Sequence, residues 1–139
     1  MCRLLHVEDS DQQADSAAMR LCGAQHRTKM TLEIERARTL AELLAADMSR
    51  FDAVLLDLTL PDSDNLKTLA TLKANANEWP PVLIVTLADS DVLRSRAMRE
   101  CGAQDYLFYH DLIEDPATAM FAIRKACDRA AYLRSSRAS

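Results

Sequence analysis

Two glycines in 139 residues, at 23 and 102, leave no glycine-rich turn after a first strand, so that device for holding a nucleotide or flavin phosphate is absent. Positive charge is not in excess either. Seventeen Lys and Arg face 21 Asp and Glu, for a net charge of −4, which excludes a whole-domain basic footprint for nucleic acid. No apolar run approaches the ~20 residues of a membrane span. The N-terminus, Met1-Cys2-Arg3-Leu4-Leu5-His6, turns acidic with neither a long apolar stretch nor a small-residue cleavage site, so no secretion signal is read. The four cysteines, at 2, 22, 101 and 127, form no CxxC pair and are expected as reduced packing thiols. His6, His26 and His110 lack zinc-ligand spacing. One soluble cytoplasmic domain is expected, long enough for a sizeable core.

What is present is a regular alternation of apolar runs and helical periods. Leu4-Leu5-His6-Val7 stops abruptly at Glu8-Asp9. From Asp11 to about Cys22, Ala14, Ala17, Ala18 and Leu21 recur at helical spacing, and Gly23 suits a left-handed helix end. Thr31 to Glu35 alternates with period two, as a half-buried strand does. Thr39 is a helix cap before Leu40, Leu43 and Leu44. Ala53-Val54-Leu55-Leu56 is a third apolar run and ends on Asp57. After the turn Leu60-Pro61-Asp62-Ser63 comes a helix carrying Leu66, Leu69 and Leu72.

Pro80-Pro81 excludes helix and introduces the fourth strand, Val82 to Val85, ending at Thr86. A helix with Val92, Leu93, Ala97 and Met98 closes at Gly102, and Tyr106-Leu107-Phe108 makes a short fifth strand. Asp115 and Pro116 cap and start a last helix toward Arg134, with 135–139 expected as a frayed tail. The tetrapeptide Cys-Gly-Ala-Gln, at 22–25 and 101–104, reads as shared helix-stop chemistry.

Strands separated by helices of 10–15 residues imply parallel βαβ units, and continuously apolar strands imply a sheet covered on both faces. The fold class is therefore α/β, a doubly wound five-stranded parallel sheet. In strand order 2-1-3-4-5 the winding reverses between strands 1 and 3, and ligands bind outside the carboxyl ends there. Glu8, Asp9 and Asp57 would converge at that point, with Thr86 beside them. Three carboxylates repel one another unless a divalent cation sits among them, and oxygen ligands of this kind suit Mg²⁺.

These pieces resemble the receiver domain of bacterial two-component response regulators, over about residues 3–130. The resemblance lies in Val7-Glu8-Asp9, in Leu55-Leu56-Asp57-Leu58-Thr59-Leu60-Pro61-Asp62, in Val82 to Thr86, and in Gly102-Ala103-Gln104-Asp105-Tyr106-Leu107. It implies a flavodoxin-like fold spanning residues 1–134, and a stand-alone signalling protein rather than an enzyme. It further implies that Asp57 accepts a phosphoryl group from a histidine kinase or phosphotransfer protein. Mg²⁺ would be held by Glu8, Asp9, Asp57 and the carbonyl of Thr59. Thr86 and Tyr106 would act as the switch that alters the surface of helix 4, strand 5 and helix 5 for a downstream protein. The chain would act without nucleic acid or membrane, as a monomer or weak homodimer.

Three departures stand out. Tyr109 occupies the place where the family carries a Lys that pairs with the phosphoryl group, His110 follows it, and Leu87 follows Thr86 where a small residue is usual. Asn65 stands near the usual turn Gly, where a left-handed conformation is tolerated. The departures keep a second reading open, a pseudo-receiver that binds proteins independently of phosphate. A dehalogenase-like phosphatase would need an Asp two residues after Asp57, and Thr59 stands there.

Overall fold

Five parallel strands form one sheet in the order β2-β1-β3-β4-β5 in a computed structural model that describes residues 1–87 and 90–138. They are β1 (Cys2–Val7), β2 (Leu32–Ala37), β3 (Ala53–Asp57), β4 (Val82–Thr86) and β5 (Asp105–Phe108). The fold is the doubly wound, flavodoxin-like one expected from the alternation of runs. β1, β3 and β4 are buried on both faces, which is why their runs are continuously apolar. β2 is an edge strand, and only its ends, Leu32 and Ala37, are fully buried.

Helices α1 (Asp11–Ala24), α5 (Tyr109–Glu114) and α6 (Pro116–Ala138) cover one face, where Ala17, Leu21, Leu112, Met120 and Ile123 pack on Leu4, Leu55 and Leu83. Helices α2 (Leu40–Ala45), α3 (Asn65–Asn75) and α4 (Asp91–Ser95) cover the other, where Leu43, Leu69 and Leu72 meet Val7, Val54, Leu56 and Ile84. α4 runs on into a π-helical turn, Arg96–Glu100. Short polar side chains start four helices by accepting backbone N–H groups: Ser10 from Gln13, Thr39 from Glu42, Asp64 from Lys67 and Ser90 from Leu93. The Asp62 carboxylate accepts from the Leu40 and Ala41 amides, which fastens the loop after β3 to the start of α2.

The structure differs from the sequence reading in five places. Gly23 lies inside α1 with ordinary backbone angles, because the helix continues to Ala24 and then tightens into a 3₁₀ turn, Gln25–Arg27. Only the second Cys-Gly-Ala-Gln copy ends a helix on a left-handed glycine, Gly102 at φ 82°. Asn65 is likewise not left-handed: it opens α3, and its Oδ1 accepts from the Thr59 hydroxyl at 2.8 Å. Strand β5 stops at Phe108 and turns directly into α5, so the last helix expected from sequence is α6, the second after the strand. Of the tail expected at 135–139, residues 135–138 continue α6, and residue 139 lies outside the described residues.

The fifth difference concerns the thiols. Cys2 and Cys127 are joined in a disulfide, with their Cα atoms 6.1 Å apart, whereas Cys22 and Cys101 are free. Cys2 opens the strand that α6 covers, and a sequence separation of 125 concealed that proximity.

Candidate functional site

The winding reverses between β1 and β3, and the acidic side chains gather where it does. Glu8 follows β1 and donates its N–H to the Ala37 carbonyl at 2.9 Å, Asp9 comes next on the exposed rim, and Asp57 ends β3. One carboxylate oxygen from each lies within 4.8 Å of the others. Asp57 Oδ1 accepts from the Thr59 N–H at 3.1 Å, which turns its carboxyl toward the loop that Thr59 begins. Thr86, at the end of β4, is buried beside them.

Electrostatics follows from this crowding. Burial, a hydrogen bond to Asp57 and the negative charges of Asp57 and Asp9 push Glu8 up to about 8. Asp57 is raised as well, chiefly by burial, while hydrogen bonds from Glu8 and the Thr59 and Leu58 amides pull the other way. At neutral pH the pair shares a proton, held on Glu8. The Glu8 Oε2 atom is buried and has no hydrogen-bond partner. A buried oxygen left in that state is costly, and three oxygens at this spacing fit a small divalent cation with little rearrangement.

Charged neighbours come from β2. The β1–β2 register sets Arg36 opposite His6. Its Nε donates to the Glu8 carbonyl at 3.0 Å, and its guanidinium pairs with Asp11, as does that of Arg38. Asp11 is accordingly held below the usual carboxylate range by hydrogen bonds from both arginines. His6 points into the same region, and burial, with Arg36 adding to it, brings it down to about 4, so it is neutral. Neither residue was singled out for the site from the sequence. The signal available was a pair of cations, Arg36 and Arg38, just after the strand expected beside β1.

Tyr109 reaches the acidic cluster from the first turn of α5. With His6, Glu8, Gln13, Asp57, Thr86 and Leu87 it lines a cavity of about 10 Å³, barely space for one water. Its hydroxyl makes a long hydrogen bond, 3.4 Å, to the Gln13 carbonyl on α1. Leu87 lines the same cavity yet is 68% exposed, at its outer edge. His110 lies outside the site, exposed on α5 with its Nε2 3.1 Å from Glu114.

Tyr106 is turned inward and buried. Arg94 of α4 stacks over its ring at 5.0 Å and over Phe108 at 5.8 Å, and the two rings meet edge to face at 6.4 Å. Along α6, Met120 is core, while Tyr132 and Leu133 are exposed.

An acid pair after strand 1, an acid ending strand 3, a hydroxyl ending strand 4 and an aromatic in strand 5 form one constellation. Residues 4–109 match the response regulator receiver domain family. The chain belongs to that family. Among curated proteins, the transcriptional regulatory protein QseB of Haemophilus influenzae is 40% identical over 65 residues, or 47% of this chain and 28% of QseB. The match thus spans little more than a quarter of that regulator.

Solved receiver domains share the fold. That of the Francisella response regulator 1452 superposes with a TM-score of 0.68 at 18% identity, covering 93% of this chain and 98% of that one. Non-phosphorylated HemR of Leptospira biflexa gives 0.66 at 23%, with 91% and 94% covered. The phosphorylated cyanobacterial phytochrome response regulator RcpA gives 0.67 at 20%, with 85% and 90% covered. Among the described residues, no helix of this receiver is long and apolar enough to cross a membrane.

Proposed function

We propose that this receiver, in the cytoplasm, accepts a phosphoryl group on Asp57 from a phosphohistidine on a histidine kinase or phosphotransfer protein, and signals by protein contacts as one module spanning residues 1–134. The observation that carries the reading is the convergence of Glu8, Asp9 and Asp57 within 4.8 Å around a buried, unpartnered Glu8 oxygen. An Asp57 oxygen attacks phosphorus in line as the bond from phosphorus to the histidine nitrogen breaks. The imidazole leaves, and an acyl phosphate remains on Asp57. Asp9 and Asp57, with the Thr59 carbonyl, would hold Mg²⁺ directly and Glu8 through water. The ion neutralises charge on the transferring oxygens when bound. Glu8 gives up its proton as that site fills.

Thr86 donates its hydroxyl to a phosphoryl oxygen and Tyr106 follows its movement, which alters the surface formed by α4, β5 and the helices after it. The downstream partner is a protein that reads this surface, met by a monomer or weak homodimer. Incubation with acetyl phosphate and Mg²⁺, followed by intact-mass measurement of wild type and Asp57→Asn, tests the reading. Label on wild type alone supports it.

Two observations favour a second reading, a module whose partner binding ignores phosphate. The Tyr109 hydroxyl is engaged with Gln13 beside a cavity of only about 10 Å³, and Tyr106 is already buried under Arg94. Absence of label on wild type, with unchanged partner binding by Asp57→Asn, would select it.

A further inference from the structure

At the opposite end of the sheet from Asp57, a groove of about 520 Å³ opens between the last turns of α6 and the amino ends of β3 and β4. Its wall is apolar and aromatic, with Phe51, Trp79 and Leu133 prominent. Its charged lining is three arginines, Arg129, Arg134 and Arg137, against one glutamate, Glu78, in a chain whose net charge is −4. All three arginines come from α6. Arg129 donates to the Gln104 side chain at 2.6 Å and Arg134 pairs with Asp52 at 2.9 Å, so both are held in place. Among the described residues Arg137 has no ion-pair partner. The volume lies in the range of small-molecule sites, Trp79 is half-buried with an aromatic surface for stacking, and arginine forks suit phosphate.

We infer that this groove binds a nucleoside 5′-phosphate, its base against Trp79 and its phosphate among Arg134 and Arg137. The site is independent of the acidic one: it shares no residue with it and requires no metal.

Trp79 is the one tryptophan in the chain, so its indole N–H gives a single NMR signal that reports on the groove. The full chain, free of divalent cations, is titrated with AMP, with adenosine and with inorganic phosphate. AMP is expected to shift the indole signal saturably at submillimolar to millimolar concentration. Adenosine and phosphate alone should bind at least roughly tenfold more weakly, the loss of a charged contact being of that order. Arg137→Ala, an exposed change that leaves the core intact, should weaken AMP by a similar factor, and Asp57→Asn should leave it unchanged. No shift with AMP, equal binding of adenosine, or wild-type binding by Arg137→Ala would each overturn the proposal. So would an indole signal that moves with protein concentration alone, since the occupant would then be a second copy of the chain.

Discussion

The Tyr109 hydroxyl donates to the Gln13 carbonyl at 3.4 Å, tying the start of α5 to α1 across the small cavity that Asp57 lines. A lysine there would bring a full charge to the phosphoryl oxygens, and charge-assisted hydrogen bonds are about twice as strong as neutral ones. The tyrosine supplies bulk, and its hydroxyl already has a partner. Tyr109→Lys should therefore accelerate labelling of Asp57 by acetyl phosphate by roughly ten- to a hundred-fold, from a gained contact of ~1.5–3 kcal/mol. Equal rates for the two proteins would show that the residue at this place is immaterial.

Mg²⁺ should compete with the proton on Glu8. Since Glu8 is pushed up to about 8, affinity for the ion should rise with pH until that value is passed. Asp9→Asn should abolish binding and Glu8→Gln weaken it while removing the pH dependence. NMR titrations at the ends of β1 and β3 measure this; an affinity flat between about pH 6 and 9 contradicts the shared proton.

Stability without divalent cations should have a maximum set by two buried groups. Glu8, raised from 4.5 to about 8, keeps a proton in the native state that the unfolded chain has released, so its contribution falls as pH rises through that window. His6, lowered from 6.5 to about 4, does the reverse: the unfolded chain takes up the proton first, so stability is lost as pH falls below about 6.5. The two effects oppose each other between about 4.5 and 6.5, and above 6.5 the Glu8 decline remains, with the raised Asp57 acting in the same direction. Urea denaturation of Glu8→Gln should show that decline gone while acid sensitivity persists.

Arg94 braces the aromatic pair of β5 from α4. Arg94→Ala should cost about 1 kcal/mol and loosen the Tyr106 ring, visible as averaged ring signals in NMR. An unchanged ring environment would mean that contacts other than Arg94 hold Tyr106 inward.

Gly102 combines φ 82° with a position where an added Cβ would sit 3.0 Å from the Ala76 Cβ. Gly102→Ala should destabilise by at least ~1–2 kcal/mol, whereas Gly23→Ala, helical and open, should be neutral or stabilising. Thermal melts of the two variants separate the positions.

Sequence made the sheet legible because β3 and β4 are unbroken apolar runs and β1 is largely one, and it pointed to Glu8, Asp9 and Asp57 because two of those runs stop on acids. Arg36 escaped notice because it is 28 residues from Glu8, and only the pairing of β2 with β1 brings it to the Glu8 carbonyl. Tyr109 could be named but not oriented. A regular strand would have sent Tyr109 and His110 to opposite faces, whereas the chain becomes helical at Tyr109. The Cys2–Cys127 bond was hidden for a similar reason, since composition speaks to redox setting and not to which strand a distant helix covers.

The most direct test is the mass of the intact chain after exposure to acetyl phosphate and Mg²⁺. The account predicts addition of one phosphoryl group to wild type, faster addition to Tyr109→Lys and none to Asp57→Asn. Label that persists in Asp57→Asn, or no label on wild type and Tyr109→Lys alike, would contradict it.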